Sequence, residues 1–247
     1  MSFDIANKIA LVTGANRGIG RSIVDSFLSH GAKKVYLAVR DLDSTDELVK
    51  QYGDKVSPLL IDVSNAESIV TAAKLAADVQ VVVNNAGVLN VATPLDQHAE
   101  ASLTEELNIN VFGLLRMAQA FTPILEKNGP GALVQLNSVA SIKNFGALTT
   151  YSASKAAAYS ITQGLKESLA PKGISVLSVH PGPINTDMAA QGGMTEIAEP
   201  TSVVAEGIVN SLKTGEFHLF PDAIARNFQD AYQSYCDNII EAEIPEG

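Results

Sequence analysis

KIALVTGANRGIG, residues 8–20, decides the fold. Lys8 to Thr13 is a short apolar run of the kind that forms a buried strand. It ends in a turn carrying Gly14, Gly18 and Gly20. The following stretch, Ile19 to Ser29, spaces Ile23, Val24, Phe27 and Leu28 along one helix face. Glycines lacking Cβ let a backbone turn tightly and approach a bound group closely. A helix that starts there aims its free N–H groups and the positive end of its dipole at an anion. A glycine-rich turn alone is a weak signal, because many turns use glycine. Its place between an N-terminal strand and a helix makes Gly14, Asn16, Arg17, Gly18, Ile19 and Gly20 a cradle for a dinucleotide pyrophosphate, against the competing reading of a plain strand-to-helix turn.

The same rhythm continues outward. Lys34 to Val39, Val56 to Ile61, Val79 to Val83, Ala132 to Asn137, Ile174 to Val179 and Phe217 to Phe220 are further apolar runs, with Pro58 weakening the first half of the second. Helical stretches separate them: Asn65 to Ala77, Ala99 to Glu126 and Tyr151 to Ala170. Runs buried on both faces and alternating with helices predict an α/β fold, a Rossmann-type doubly wound parallel sheet with helices on both faces. No linker, repeat or low-complexity tract interrupts residues 1–247, so a single domain is expected. Ala223 to Ile240 adds an extra C-terminal helix, whose Phe228, Tyr232 and Tyr235 stripe reads as core packing or a subunit contact.

Composition narrows the functional classes. The 247 residues carry 46% hydrophobic and 18% charged side chains and a net charge of −10. That is a globular composition, and one that argues against a nucleic-acid partner, since phosphate backbones need clustered Lys and Arg. Cys236 is the sole cysteine, so no internal disulfide can form. The N-terminal stretch lacks a secretory pattern, and no apolar run approaches the roughly 20 residues that span a bilayer. A cytoplasmic protein with no membrane partner is expected. His30, His98, His180 and His218 show no metal-ligand spacing, and no metal is expected.

The end of the second strand should meet the adenosine ribose, where an acidic residue would hold both hydroxyls and repel a 2′-phosphate. Here Val39 occupies that position and Arg40 follows it. With Arg17 nearby, two guanidinium groups could surround one phosphate, which favours NADP(H). The competing reading leaves both arginines solvated and gives the ribose to Asp41, which favours NAD(H). Tyr151 and Lys155 lie four apart in a helix and share one face. An ammonium beside a phenol favours the phenolate and brings its pKa, ordinarily about 10, toward neutrality. Ser138 follows a strand, at the carboxyl end of the sheet where open α/β folds bind ligands.

These motifs together resemble the short-chain dehydrogenase/reductase family in its compact single-domain branch, the carbonyl reductases and alcohol dehydrogenases. They are Thr13-Gly14-xxx-Gly18-x-Gly20, Asp62-Val63, Asn84-Asn85-Ala86-Gly87, Asn110, Ser138, Tyr151-xxx-Lys155, and Pro181-Gly182 with Thr186 beyond, in order from about residue 5 to residue 190. The resemblance implies that Tyr151 exchanges a proton with a carbonyl or alcohol oxygen that Ser138 orients. Lys155 would lower the Tyr151 pKa and hold the nicotinamide ribose, and Asn110 would support a water linking Lys155 to solvent. Asp62 and Val63 would touch the adenine, and Asn85, Ala86 and Gly87 would line the cleft. Pro181, Gly182, Ile184 and Thr186 would fix the nicotinamide end. Family members commonly finish with a glycine-rich subunit contact. This chain instead reads Leu219-Phe220-Pro221-Asp222-Ala223, which weakens the expectation of the usual tetramer. A homodimer or homotetramer is expected rather than a monomer.

Two variable stretches should shape the substrate pocket, Ile142 to Thr150 and Asp187 to Pro200. Phe145, Leu148, Met188, Met194 and Ile197 make them apolar, and Gly192-Gly193 could hinge a lid. With Ser138 and Tyr151 they predict a hydrophobic ketone, aldehyde or secondary alcohol as substrate. A 3-oxoacyl group on an acyl carrier protein is the alternative, with Lys127 and Lys172 as a basic dock. A non-catalytic dinucleotide sensor is the alternative of another class, and one that would not need Tyr151 with Lys155.

Overall fold

The computed structural model describes residues 2–240. The first apolar run is β1, Ile9–Thr13, and the glycine turn leads directly into α1, Gly18–Ser29. β2 (Lys34–Val39), α2 (Asp46–Tyr52), β3 (Val56–Leu60), α3 (Ala66–Leu75) and β4 (Val81–Asn84) follow. The second half comprises α4 (Ala99–Glu106), α5 (Gly113–Asn128), β5 (Gly131–Leu136), α6 (Thr149–Leu169) and β6 (Ile174–Val179). It is completed by α7 (Asp187–Gln191), α8 (Thr201–Thr214), β7 (His218–Leu219) and α9 (Ala223–Tyr235).

The strands form one parallel sheet in the order β3-β2-β1-β4-β5-β6-β7. Alternate residues serve opposite layers, as the pleat requires. Ala10 and Val12 point toward α1, α2 and α8 and pack with Ile23, Phe27, Leu48 and Ile208. Ile9 and Leu11 point toward α3, α5 and α6 and pack with Ile69, Phe121 and Tyr159. Both faces of β1 are therefore dry, which is why its sequence shows a continuous apolar run rather than an alternation. Pro58 is accommodated because β3 is an edge strand, where a missing backbone donor costs no ladder bond.

The order of strands reverses direction between β1 and β4, and open α/β sheets bind ligands in the crevice at such a switch point. The glycine turn and the loop after β4 flank that crevice.

Two expectations change in detail. The stretch Ala99 to Glu126 is not one regular helix: a π-helical segment, Leu107–Phe112, separates α4 from α5. The widening falls where Asn110 turns inward to bind the backbone of Val88, and such π segments occur often at functional sites. At the other end, α9 stops at Tyr235 and the chain continues as a π turn, Cys236–Ile240. Phe228 packs against Phe145 with ring centroids 6.4 Å apart, and Tyr232 meets Tyr159, whereas Tyr235 remains exposed. Among the described residues, no helix is long and apolar enough to cross a membrane.

Candidate active site

The glycine turn is held from below by Thr13. Its hydroxyl oxygen accepts the backbone N–H groups of Asn85 and Ala86, each at 2.9 Å, while Asn85 Nδ2 donates to the Thr13 carbonyl at 2.9 Å. The ends of β1 and β4 are thereby fastened together at the switch point. Gly18 has φ +54°, a left-handed conformation that favours glycine. Gly20 is required for a different reason. A Cβ there would lie 2.1 Å from the Gly14 carbonyl oxygen, so the helix can press this closely on the turn only without a side chain. Arg17, the residue before α1, is extended and makes no side-chain cap, leaving the N–H groups of the first turn without a side-chain acceptor. A turn that leaves helix N–H groups without a side-chain acceptor suits an anion such as a pyrophosphate. Asn16 and Ile19 belong to the same turn, and Ile19 packs its side chain on the core.

Around the neighbouring loops, Asp62 accepts the Ser64 N–H at 2.9 Å and the Ser64 hydroxyl at 2.7 Å. The Ser64 hydroxyl holds its carboxyl below the usual carboxylate range against the opposing effect of burial, and Arg40 helps by its charge. Val63 presses its side chain on Gly113 and lends its carbonyl to Arg116. Arg40 is exposed just past β2. Asp41, the rival ribose ligand, accepts the Asp43 N–H at 3.2 Å. Arg17 Nη1 pairs with Asp187 Oδ2 at 2.5 Å, with both side chains largely exposed. The pair bridges the glycine turn to the start of α7.

Ser138, Tyr151 and Lys155 are all buried, 9%, 7% and 5% exposed. Ser138 follows β5 and caps the turn Val139–Ser141 by accepting the Ala140 N–H at 3.1 Å. Tyr151 occupies the first turn of α6 and Lys155 the next, with Lys155 Nζ 5.7 Å from the Tyr151 ring centre. Lys155 donates to the Leu136 carbonyl at 2.8 Å. Burial pushes the Tyr151 phenol up to about 12; its hydrogen bond with Ser138 pulls the other way, and the charge of Glu106 adds to the rise. Burial brings the Lys155 ammonium down to about 8, opposed by Glu106. Burial is thus the largest influence on both groups, whereas the sequence showed only that they are neighbours on one helix face. Excluding water disfavours the charged form of each, and the ammonium donates its hydrogen bond to the Leu136 carbonyl.

Asn110 is buried, its Oδ1 accepting the Val88 N–H and its Nδ2 donating to the Val88 carbonyl, each at 2.9 Å. Nδ2 also donates to Ser154 Oγ at 3.0 Å. Gly87 brings these parts together, since a Cβ there would lie 3.1 Å from Asn110 Oδ1 and 3.7 Å from Lys155 Nζ.

The segment after β6 closes the other side. The Pro181 carbonyl accepts the Val139 N–H at 3.0 Å and the Ser138 hydroxyl at 3.4 Å. Gly182 donates its N–H to Asp222, and Ile184 is buried in the core. Thr186 caps α7 by accepting the Ala189 N–H at 3.3 Å, and its methyl group lies 3.1 Å from where a Gly18 Cβ would be. Leu89, Ala140, Leu148 and Tyr151 form an apolar cluster with Phe145, Met188 and Met194 against it. Gln191 Nε2 ties α7 to the Leu89 carbonyl at 2.9 Å, whereas Ile197 is 58% exposed and outside the cluster. Among the described residues no three His, Cys, Asp or Glu side chains gather as a metal ion needs.

Sequence reasoning passed over three residues that hold this site: the supporting role of Thr13, the loop anchor Asp222 and the buried Glu106. Thr13 stands directly before the first glycine, and Asp222 directly follows a proline at the start of a helical pattern. Those positions were the available signals. Glu106 gave none, since an acid in a polar helical stretch reads as solvated.

Comparison with known proteins agrees with this geometry. Residues 8–196 match the family described as short chain dehydrogenase. An uncharacterized oxidoreductase of Staphylococcus aureus strain N315 is 33% identical over 191 residues, covering 75% of this chain and 82% of its own. Among solved structures, a short chain dehydrogenase from Burkholderia cenocepacia J2315 in complex with NADP is 31% identical. It superposes with a TM-score of 0.87 over 97% of this chain and 100% of its own. A short-chain dehydrogenase from Streptomyces avermitilis is 25% identical, with a TM-score of 0.82 over 96% of this chain and all of its own. The chain belongs to the short-chain dehydrogenase family. Within that class it is an oxidoreductase.

Proposed function

We propose that this protein is an NADP(H)-dependent carbonyl reductase or alcohol dehydrogenase, interconverting a hydrophobic ketone or aldehyde and its alcohol. The observation that carries the reading is the convergence of Ser138, Tyr151 and Lys155 beside the glycine turn, with Leu89, Leu148, Phe145 and Met188 packed around the Tyr151 ring. NADP(H), when bound, supplies or takes up the hydride. Gly14, Asn16, Gly18, Ile19 and Gly20 would hold its pyrophosphate, and Arg40 and Arg17 its 2′-phosphate. Asp62, Val63, Asn85, Ala86 and Gly87 would line the adenosine side, and Pro181, Gly182, Ile184 and Thr186 the nicotinamide side. The NADP bound to the Burkholderia cenocepacia protein, similar over nearly the whole chain, supports the choice over NAD(H).

The chain's own part is orientation and proton handling. Tyr151, kept as a neutral phenol by burial, donates a proton to the substrate oxygen during reduction and takes it back during oxidation. Ser138 donates a hydrogen bond to the same oxygen and fixes its position. Lys155 stabilises the phenolate left behind and holds the nicotinamide ribose, and Asn110 supports the water through which the proton is restored. The Leu89, Phe145, Leu148 and Met188 cluster excludes water and favours apolar substrates.

Lys172 is paired with Glu126 at 2.8 Å, which argues against a basic dock for an acyl carrier protein. The exposed face of α6 carries Ala153, Ala156, Ser160 and Gly164, small residues that suit close approach of a second helix in a homodimer or homotetramer. The test is NADPH and NADH oxidation with a panel of hydrophobic ketones and aldehydes beside a 3-oxoacyl thioester. Turnover of free ketones with NADPH is the expected result, lost in Tyr151→Phe while cofactor binding survives. Equal activity in that variant overturns the mechanism.

A further inference from the structure

Glu106 ends α4 and is fully buried, at 0% exposure. Burying a carboxylate is costly unless it is partnered, so its presence calls for a reason. One oxygen, Oε1, accepts the N–H of Asn90 at 2.7 Å. Asn90 closes the loop that begins with Asn85, Ala86 and Gly87 and passes through Leu89 in the apolar cluster. The other oxygen is enclosed beside the Thr150 hydroxyl, and Thr150 directly precedes Tyr151. Neither Glu106 Oε2 nor Thr150 Oγ1 completes an aligned hydrogen bond.

The groups facing Glu106 are few. Glu105, on its own helix, opposes its ionisation, as burial does more strongly. Tyr151 and Lys155 face it from α6, and its negative charge favours the protonated form of both. The proton transfers described above make no use of it. An amide at this position would hold Asn90 equally well through its carbonyl oxygen; what an acid adds is charge.

The geometry points to Glu106 as a positioning residue: its buried carboxylate holds the Asn90 end of the cofactor-side loop against the start of the helix that carries Tyr151 and Lys155. When ionised, it also favours the protonated form of both. The part it plays in turnover rests on the reductase function proposed above. As pH rises, an enzyme without that charge loses the protonated pair earlier.

The experiment compares pH profiles of kcat/KM for NADPH-dependent ketone reduction in the wild type, Glu106→Gln and Glu106→Met. In Glu106→Gln, kcat/KM at about pH 9 relative to about pH 6.5 should fall about threefold or more below the wild-type ratio, because the alkaline limb moves to lower pH. Its KM for NADPH should stay near wild type, since the amide oxygen still accepts the Asn90 hydrogen. Glu106→Met loses charge and acceptor together and should add a raised KM for NADPH. Being apolar and of similar volume, it also serves if the glutamine variant does not fold. Superimposable pH profiles in wild type and variant overturn the proposal. If the wild type turns over no ketone, the reductase reading fails separately. Glu106 is then judged by ultraviolet difference titration of the Tyr151 phenol, obtained against Tyr151→Phe in each background. The phenolate should form at lower pH without the Glu106 charge, and an unchanged titration overturns the proposal.

Discussion

Asp222 Oδ2 accepts the N–H of Gly182 at 2.7 Å, joining the start of α9 to the loop that follows β6. The same carboxylate caps α9 through Oδ1, which accepts the Ala225 N–H at 2.9 Å, and the side chain is 1% exposed. The C-terminal helix is thus anchored to the segment proposed to hold the nicotinamide end. Asp222→Ala removes a helix cap and leaves the Gly182 N–H without its acceptor. The two losses together should cost about 2–4 kcal/mol. Urea denaturation measures the stability loss, and a raised KM for NADPH should accompany it. A stable variant with unaltered KM would show that α9 does not support the site.

Gly20 tests the turn by space alone. An alanine methyl would meet the Gly14 carbonyl oxygen at 2.1 Å and Asn85 Nδ2 at 2.7 Å, so backbone has to move. Gly20→Ala should lower kcat/KM on the order of 100-fold, as ångström-scale misplacement of a bound reactant does. Gly164, in the middle of α6, meets nothing within 4 Å and gives the contrast. Gly164→Ala should fold normally; in urea denaturation the ordinary helical preference of alanine over glycine, about 0.5–1 kcal/mol, should be gained where this face of α6 is free and offset where a second helix packs on it.

Such contrasts mark what the residues could reveal in advance. The strand–glycine–helix unit was legible because β1 is dry on both faces and the glycines stand at its end. Tyr151 and Lys155 were legible because four-residue spacing on a helix puts side chains together. The π segment around Asn110 was not, since the bond that Asn110 makes there is to Val88, 22 positions away in the chain. Nor was the balance of pKa influences at Tyr151. Residue spacing reports that an ammonium is near a phenol, whereas their burial depends on α4, β5 and the loop after β4 closing over both. Asp222 shows the same limit, because its partner Gly182 lies forty positions away in the chain.

The proposed selection of NADP(H) assigns the 2′-phosphate to Arg40 and Arg17, whose surroundings differ. Arg40 is exposed beyond β2, while Arg17 already holds Asp187. Arg40→Ala should weaken NADPH binding by about tenfold or more, the scale of one hydrogen bond to a charged group, and leave NADH binding unaltered. Arg17→Ala should weaken NADPH binding by less and leave NADH binding unaltered, because the wild-type arginine must release an exposed ion pair worth about 0–1 kcal/mol before turning to the 2′-phosphate. Fluorescence titration with each dinucleotide reads all four affinities. A parallel loss of NADPH and NADH binding in Arg40→Ala would place the 2′-phosphate elsewhere.

The burial of His180 predicts a stability that falls in acid. The side chain is fully buried under the site, bonded through Nδ1 to Ser141 Oγ at 2.9 Å and through Nε2 to Ser178 Oγ at 2.7 Å, and stacked on Phe220. Burial brings its pKa down from 6.5 to about 3, with the nearby His218 adding to the fall. Unfolded chains take up the proton near the ordinary value, while the folded protein resists it until far lower pH. The unfolded state therefore binds more protons throughout that window, and stability rises with pH there. As pH falls below about 6.5 stability should drop by up to about 1.4 kcal/mol per unit, levelling only near the folded value. Asp62 and Glu206, whose carboxyls are held low, add their own loss at still lower pH. Urea midpoints of the wild type and His180→Asn between about pH 7 and about pH 5 give the histidine's share by difference, since solvated carboxylates are largely ionised over that range. His180→Asn should be less stable at neutral pH yet lose less on acidification. If its stability declines as steeply as that of the wild type, the acid sensitivity belongs to other groups.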